Sequence, residues 1–248
     1  MDRLIYVAMT GAKHTMYQQA VASHNLANAS TVGYKAEASA FRALPVFGEG
    51  AATRTFVVDS TAGADMSPGT IQQTGRDLDV AVQGKGWIAV QAADGSEAYT
   101  RNGSLLISQN GLLQTRNGQN VLGDGGPLAV PPDSADITIG KDGTVSVIPA
   151  GQAPTTVAIV GRIKLVNPPE AEMTKGSDGL FRLKSGTVAP ADAGVALASK
   201  SLEGSNVNAV DSLVTMINLA RNFDMQIKLI TTANDNAQRA SQILAVSA

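Results

Sequence analysis

Apolar residues along this chain keep two rhythms, one at both ends and another between them. From the start, Ile5, Met9, Ala12, Met16, Gln19, Ser23 and Leu26 fall at alternating steps of four and three. The first thirty residues hold no proline and a single glycine, Gly11. Positions three and four apart share a helix face, so the spacing predicts an N-terminal helix over residues 1–30. At the other end Leu213, Met216, Ala220, Phe223, Ile227, Ile230, Asn234, Ala237, Ser241 and Leu244 repeat the stepping, and neither proline nor glycine follows Gly204. A helix over residues 208–248 is expected, with Asn208 as its N-cap and Asp211 three residues on. Seven-residue spacing held this long is a coiled-coil seam. Its small and polar members, Ala220, Asn234, Ala237 and Ser241, suit close packing and fixed register and make a poor stand-alone dimer.

The middle of the chain is punctuated by turns. Asp94-Gly95, Asn102-Gly103, Asn110-Gly111, Asn117-Gly118 and Asp124-Gly125 recur every seven or eight residues, and Asp142-Gly143 and Asp178-Gly179 follow. That is the rhythm of tight hairpins. The strands expected between them are Asp79–Gln83, Trp87–Gln91, Ala98–Arg101, Gly111–Thr115, Ile137–Ile139, Thr144–Ile148, Val157–Val166 and Leu180–Leu183. Residues 76–190 therefore predict an all-β domain. Residues 31–75, rich in Ala, Thr, Ser and Gly with Pro45 and Pro68, hold no sustained period and predict a partly extended linker. Residues 191–207 predict a return linker. The fold class is α+β: terminal helices pairing as a coiled coil, with a central all-β domain and an extended connecting segment.

Composition narrows the function classes. The chain has 248 residues, 25 glycines, only 4% aromatics and a formal net charge of −2, so nothing in it resembles a basic nucleic-acid or anionic-membrane surface. The absence of cysteine removes thiol nucleophiles, thiolate metal sites and disulfides. No stretch approaches the roughly 20 apolar residues of a membrane span. The apolar run Leu4–Met9 is short for a secretory signal and is followed by Lys13 and His14.

No motif carries chemistry. His14 and His24, the two histidines, are ten apart and off-face on the predicted helix, with no acidic cluster of ligand spacing beside them. Gly84-Lys-Gly86 runs into the strand-like Trp87-Ile-Ala-Val and not into a helix, so a phosphate loop is excluded. Asp77 and Asp79 lie beside a strand and have no partner for paired-carboxylate work. No catalytic, cofactor-binding or metal-ligating residue is assigned, and no cofactor is expected. What remains is assembly: a subunit with a heterologous contact builds an open helical filament if that contact does not close. A secreted glycan-binding β domain on a coiled-coil stalk is the alternative of another class, but it needs an exposed aromatic platform, and the chain has one Trp, four Tyr and five Phe.

Three separated stretches resemble the bacterial flagellar rod and hook proteins. Ser23-His-Asn25-Leu-Ala-Asn28-Ala-Ser-Thr31-Val-Gly33-Tyr34-Lys35 is similar to their N-terminal signature, S-x-N-L-A-N-x-x-T-x-G-[YF]-[KR]. Asp77-Leu-Asp-Val-Ala-Val-Gln-Gly84, Gly86-Trp87 and Ala98-Tyr-Thr-Arg-Asn-Gly103 resemble the central part, and Gly204-Ser-Asn-Val-Asn208, Met216-Ile and Arg221-Asn-Phe223 resemble the C-terminal signature. Val32 stands where the family often has Pro, and Ala220 where Gln is common. The opening Met1–Ala12 and the segment Val121–Pro131 look most like proximal-rod members, with distal-rod and hook-type axial subunits as the alternatives.

The resemblance implies a structural subunit of the flagellar basal body, exported unfolded by the type III apparatus without a cleaved signal peptide. It would assemble in the periplasm with other rod proteins and with copies of itself, around a channel that carries export substrates. No nucleic acid and no membrane insertion are expected. The terminal helices would form the inner layer, with Ile5, Met9, Ala12, Met16, Leu26, Leu213, Met216, Ala220, Phe223, Ile227, Ile230, Asn234, Ala237 and Leu244 at the assembly interface. Asn25, Asn28, Thr31, Gly33 and Tyr34 would form the joint where the chain leaves that layer. Gly33 would do so by tolerating positive φ.

Overall fold

The structure, a computed structural model, describes residues 2–45, 55–131, 133–151 and 156–246. The chain divides into two units. The first comprises residues 1–28, 37–63 and 207–248, and the second residues 29–36 and 64–206.

In the first unit, α1 (Asp2–Ala27) and α2 (Ala209–Val246) pack on each other. Asn208 caps α2: its Oδ1 accepts the Val210 N–H at 3.0 Å, satisfying a donor that the first helical turn leaves over. Residues 31–75 are more ordered than a linker. They contain β1 (Glu37–Pro45) and β2 (Thr55–Ala64), which pair as a two-stranded sheet, and β1 lies against α1. Runs of Ala, Ser, Thr and Gly carry no apolar alternation, so these strands leave no period in the sequence.

The second unit holds the remaining strands: β3 (Ile71–Gln73), β4 (Val80–Gln83), β5 (Trp87–Gln91), β6 (Glu97–Thr100), β7 (Leu105–Ile107), β8 (Leu113–Thr115), β9 (Asn120–Gly123) and β10 (Gly126–Pro127). They continue with β11 (Ser134–Ile139), β12 (Thr144–Pro149), β13 (Ala158–Arg162), β14 (Leu165–Val166), β15 (Met173–Lys175), β16 (Phe181–Leu183), β17 (Ala196–Ser199) and β18 (Ser201–Glu203). The largest sheet runs β15-β16-β6-β5-β9-β8-β7, with β10 on β9 and β14 on β5, and a smaller one runs β11-β12-β13.

Strand β5 shows why this unit closes. Successive side chains of a strand point to opposite faces. Ile88 and Val90 enter one apolar cluster with Val82, Leu105, Leu113 and Leu197, while Trp87 and Ala89 enter another with Tyr99, Met173 and Phe181. Both faces are covered, so the strand reads as an unbroken apolar run.

Two expectations need correction. Residues 191–207 are not merely a return linker: β17 pairs antiparallel with β4, and β18 with β3. Asn102-Gly103 is not a hairpin turn. Gly103 is buried, its carbonyl accepts the Val80 N–H at 3.0 Å, and a Cβ there would stand 1.8 Å from the Val80 carbonyl oxygen. Glycine serves close backbone approach at this position.

Candidate assembly surface and its anchor

On α1 the positions removed from water are Ala8, Ala12, Thr15 and Ala22, with Ile5, Gln19 and Leu26 half-buried. On α2 they are Leu219 and Ala233, with Ser212, Met216, Ala220, Phe223, Gln226, Ile230, Ala237 and Ala240 half-buried. In each helix one line of the expected seam, 5/12/19/26 and 216/223/230/237, lies on this inner side. The companion line is different. It runs through 8/15/22 on α1 and 212/219/226/233/240 on α2.

Met9, Met16, Leu213, Ile227 and Asn234 are instead exposed in the single chain, Met16 at 57%. Leu244 falls within α2, but its side chain lies outside the described residues. Small residues explain the shift, because alanine and glycine let helix axes approach where methionine holds them apart. At Gly11 an added Cβ would meet the Gln226 side-chain amide at 3.2 Å.

The joint begins at the end of α1. Asn25 grips the backbone of β1 at two points: Nδ2 donates to the Glu37 carbonyl at 2.9 Å, and Oδ1 accepts the Glu37 N–H at 2.8 Å. Asn28 Nδ2 donates to the His24 carbonyl at 2.9 Å, answering a carbonyl that the helix end leaves over. His24 Nδ1 lies 3.2 Å from Glu37 Oε2, and His14 meets Phe41 edge-on at 5.6 Å. Among the described residues no cluster of three metal-ligating side chains occurs.

The rest of the motif belongs to the second unit. Thr31 is exposed, and its carbonyl accepts the Tyr34 N–H at 3.3 Å. Gly33 takes φ +68°, and its N–H donates to the Glu203 carbonyl at 2.8 Å. A Cβ there would lie 2.4 Å from the Arg101 backbone, so both conformation and space demand glycine. The Lys175 ammonium sits 4.0 Å over the Tyr34 ring, a cation–π contact.

The next residue is the one the sequence pattern does not single out. Lys35 is 1% exposed, and its Nζ donates to Glu203 Oε1 and to the Ser67 carbonyl, each at 2.7 Å. Glu203, also 1% exposed, accepts from Arg101 Nη1 at 2.9 Å through its other oxygen and from the Gly69 N–H at 2.9 Å. Arg101, 4% exposed, donates through Nη2 to the Gly84 carbonyl at 2.7 Å and lies 5.2 Å over Trp87. Burial pulls the Lys35 ammonium below the ordinary lysine range, and the hydrogen bond and charge of Glu203 pull it back. Lys35 and Arg101 lie inside the family-like stretches, and Glu203 immediately precedes the third.

Comparison with known proteins matches three stretches of the chain to flagellar families. A family model described as "Flagella basal body rod protein" matches residues 5–35, "Flagellar hook protein FlgE/F/G D1 domain" matches 81–147, and "Flagellar basal body rod FlgEFG protein C-terminal" matches 198–243. The chain is 51% identical to the flagellar basal-body rod protein FlgF of Escherichia coli and 49% identical to that of Salmonella typhimurium, covering 100% of both chains each time. It is 33% identical to the basal-body rod protein FlgG of Bacillus subtilis over 96% of this chain and 97% of that one.

Proposed function

From the premise that this chain belongs to the family of flagellar basal-body rod proteins, we propose that its two terminal helices are the surface through which subunits join. It is a structural subunit of the proximal rod and not an enzyme, and it assembles with other rod proteins and with itself. The finer reading is that α1 and α2 pair as a coiled coil and pack against helices of neighbouring subunits. The chain arrives unfolded through the type III export apparatus, without a cleaved signal, and assembles in the periplasm. No helix among the described residues is long and apolar enough to cross a membrane.

One observation carries this reading. Besides its inner line, α2 exposes Val210, Leu213, Val214 and Ile217, spaced i, i+3, i+4, i+7. On α1, Tyr6, Met9, Met16 and Tyr17 are exposed as well. An apolar stripe at helical spacing that faces water marks an unmet interface. Past Ile217 Arg221, Asp224, Lys228 and Asp235 are exposed on this side of α2, and Met225, Ile227 and Leu229 are exposed beside them.

The test is Ile217→Asp in the full chain, scored by motility and by recovery of rods in isolated basal bodies. Trp87, the single tryptophan, lies in the second unit and reports that this unit still folds. The expected result is unchanged Trp87 emission with loss of rods and motility. Normal motility would remove the helix-joining assignment.

A further inference from the structure

The Lys35–Glu203–Arg101 cluster has an order built into it. The two cations lie 168 and 102 residues before the carboxylate that serves both. All three are removed from water, and a buried cation stripped of its counter-charge is strongly unfavourable. We propose that Glu203 is a closing latch: the core of the second unit cannot complete itself until the last tenth of that unit is present to neutralise Lys35 and Arg101. What the latch does during export rests on the reading above, in which the chain arrives unfolded.

Geometry supports the latch beyond the ion pairs. β4 is buried through Val80, Ala81 and Val82, and its ladder partner among the described residues is β17, only a few residues before Glu203. Val82 faces Leu197 in that ladder, and both are almost fully buried. Backbone contacts tighten the same place: Gly33 N–H bonds the Glu203 carbonyl, and a Cβ on Gly69 would fall 2.1 Å from the Gly204 carbonyl. Lys35 is held below its ordinary range by burial even with Glu203 beside it, so without that carboxylate its ammonium has still less support. An early closure would thus bury two unneutralised cations beside a strand lacking its neighbour.

The test is refolding of the full chain from denaturant, followed by Trp87 emission, in wild type, Glu203→Gln and Lys35→Met/Glu203→Gln. In the double variant Arg101 keeps the Val82 and Gly84 carbonyls. Glu203→Gln is expected to slow burial of Trp87 by about tenfold or more, with little change in unfolding rate, or to leave it exposed altogether. The double variant is expected to recover at least half of the lost logarithmic rate, because an uncompensated charge is removed. Wild-type refolding in Glu203→Gln, with only unfolding accelerated, would overturn the latch, since the core would then close first. So would a double variant no faster than the single one, which would make lost shape the cause. These rates need no flagellum. A chain whose deletion left motility intact would remove the rod reading and leave the latch standing.

Discussion

The helix unit and the β unit treat the same kinds of residue in opposite ways. In the helix unit, alanines face inward while Met16, Tyr17, Val214 and Ile217 face water. In the β unit even Lys35, Arg101 and Glu203 are hidden, each answered by a partner. A unit that buries its charges and gives each an ion-pair partner is complete as a single chain. A unit that buries alanine and exposes isoleucine has reserved its largest hydrophobic gain for a neighbour. At roughly 25 cal/mol per Å² of apolar surface removed from water, exposed aliphatics of α2 such as Val210, Leu213, Val214 and Ile217 are a substantial store for assembly.

Identical or comparable substitutions in the two units therefore test the contrast. The largest effect belongs to Gly103→Ala, which places a methyl group 1.8 Å from the Val80 carbonyl oxygen in a paired backbone. A clash with backbone cannot be relieved by a rotamer, and the expected cost is roughly 4 kcal/mol or more. Chemical denaturation read at Trp87 should show the β unit unfolded or barely folded. Leu105→Ala comes next. Leu105 is fully buried in the first cluster, and truncation should cost about 2–5 kcal/mol by the same measurement. A loss below about 1 kcal/mol at either site would mean the β unit is not the well-packed partner in the comparison.

A smaller effect is carried by pH. Lys35 holds its proton less tightly in the folded chain than in the unfolded one, whose value is the ordinary 10.5. Between the lowered value and 10.5 the unfolded chain binds more protons, so stability rises with pH across that window. Burial raises the Tyr99 phenol above 10.0, which works the other way: stability held below pH 10 is lost as pH rises through the raised value. Lys35→Met removes only the first contribution. The stability of wild type minus that of the variant should therefore grow with pH up to 10.5, because Tyr99 is common to both. A flat difference would contradict the burial argument for Lys35.

How much of this can be read from the sequence depends on the range of the cause. Helices at both ends, the Asn208 cap and strands such as β5 and β12 follow from neighbours a few residues apart. The strands β1, β2, β17 and β18 do not, because Ala, Ser, Thr and Lys make no alternation and the pairing partners of β17 and β18 are more than a hundred residues away. One line of each helix seam was legible and the other was not. Periodicity cannot say which of two adjacent lines faces inward, and the larger residues, Met9, Met16, Leu213 and Ile227, lie on the line that stays exposed in the single chain, where packing of the two helices selects for small size. The anchor of the joint was hidden for a related reason. Lys35 sits in a recognisable stretch, but its carboxylate is 168 residues on.

The smallest expected effect repeats the first substitution in the other unit. Gly11 lies inside α1 with no positive φ, so alanine can take its backbone conformation without strain. Replacing a helix-interior glycine by alanine favours the helix by about 1 kcal/mol. Against this, the new methyl group would lie 3.2 Å from the side-chain amide of Gln226, a few tenths of an ångström too close. Gln226 is half-buried and flexible, and its amide can move aside where the Val80 carbonyl cannot. The helix gain should outweigh the adjustment, leaving Gly11→Ala neutral to stabilising by about 1 kcal/mol in helix melting followed by far-ultraviolet circular dichroism. A loss of more than about 1 kcal/mol would show that Gln226 is fixed in place over Gly11. The helix pair would then be as exacting as the β core, and the difference between the two units would lie only in what each leaves exposed.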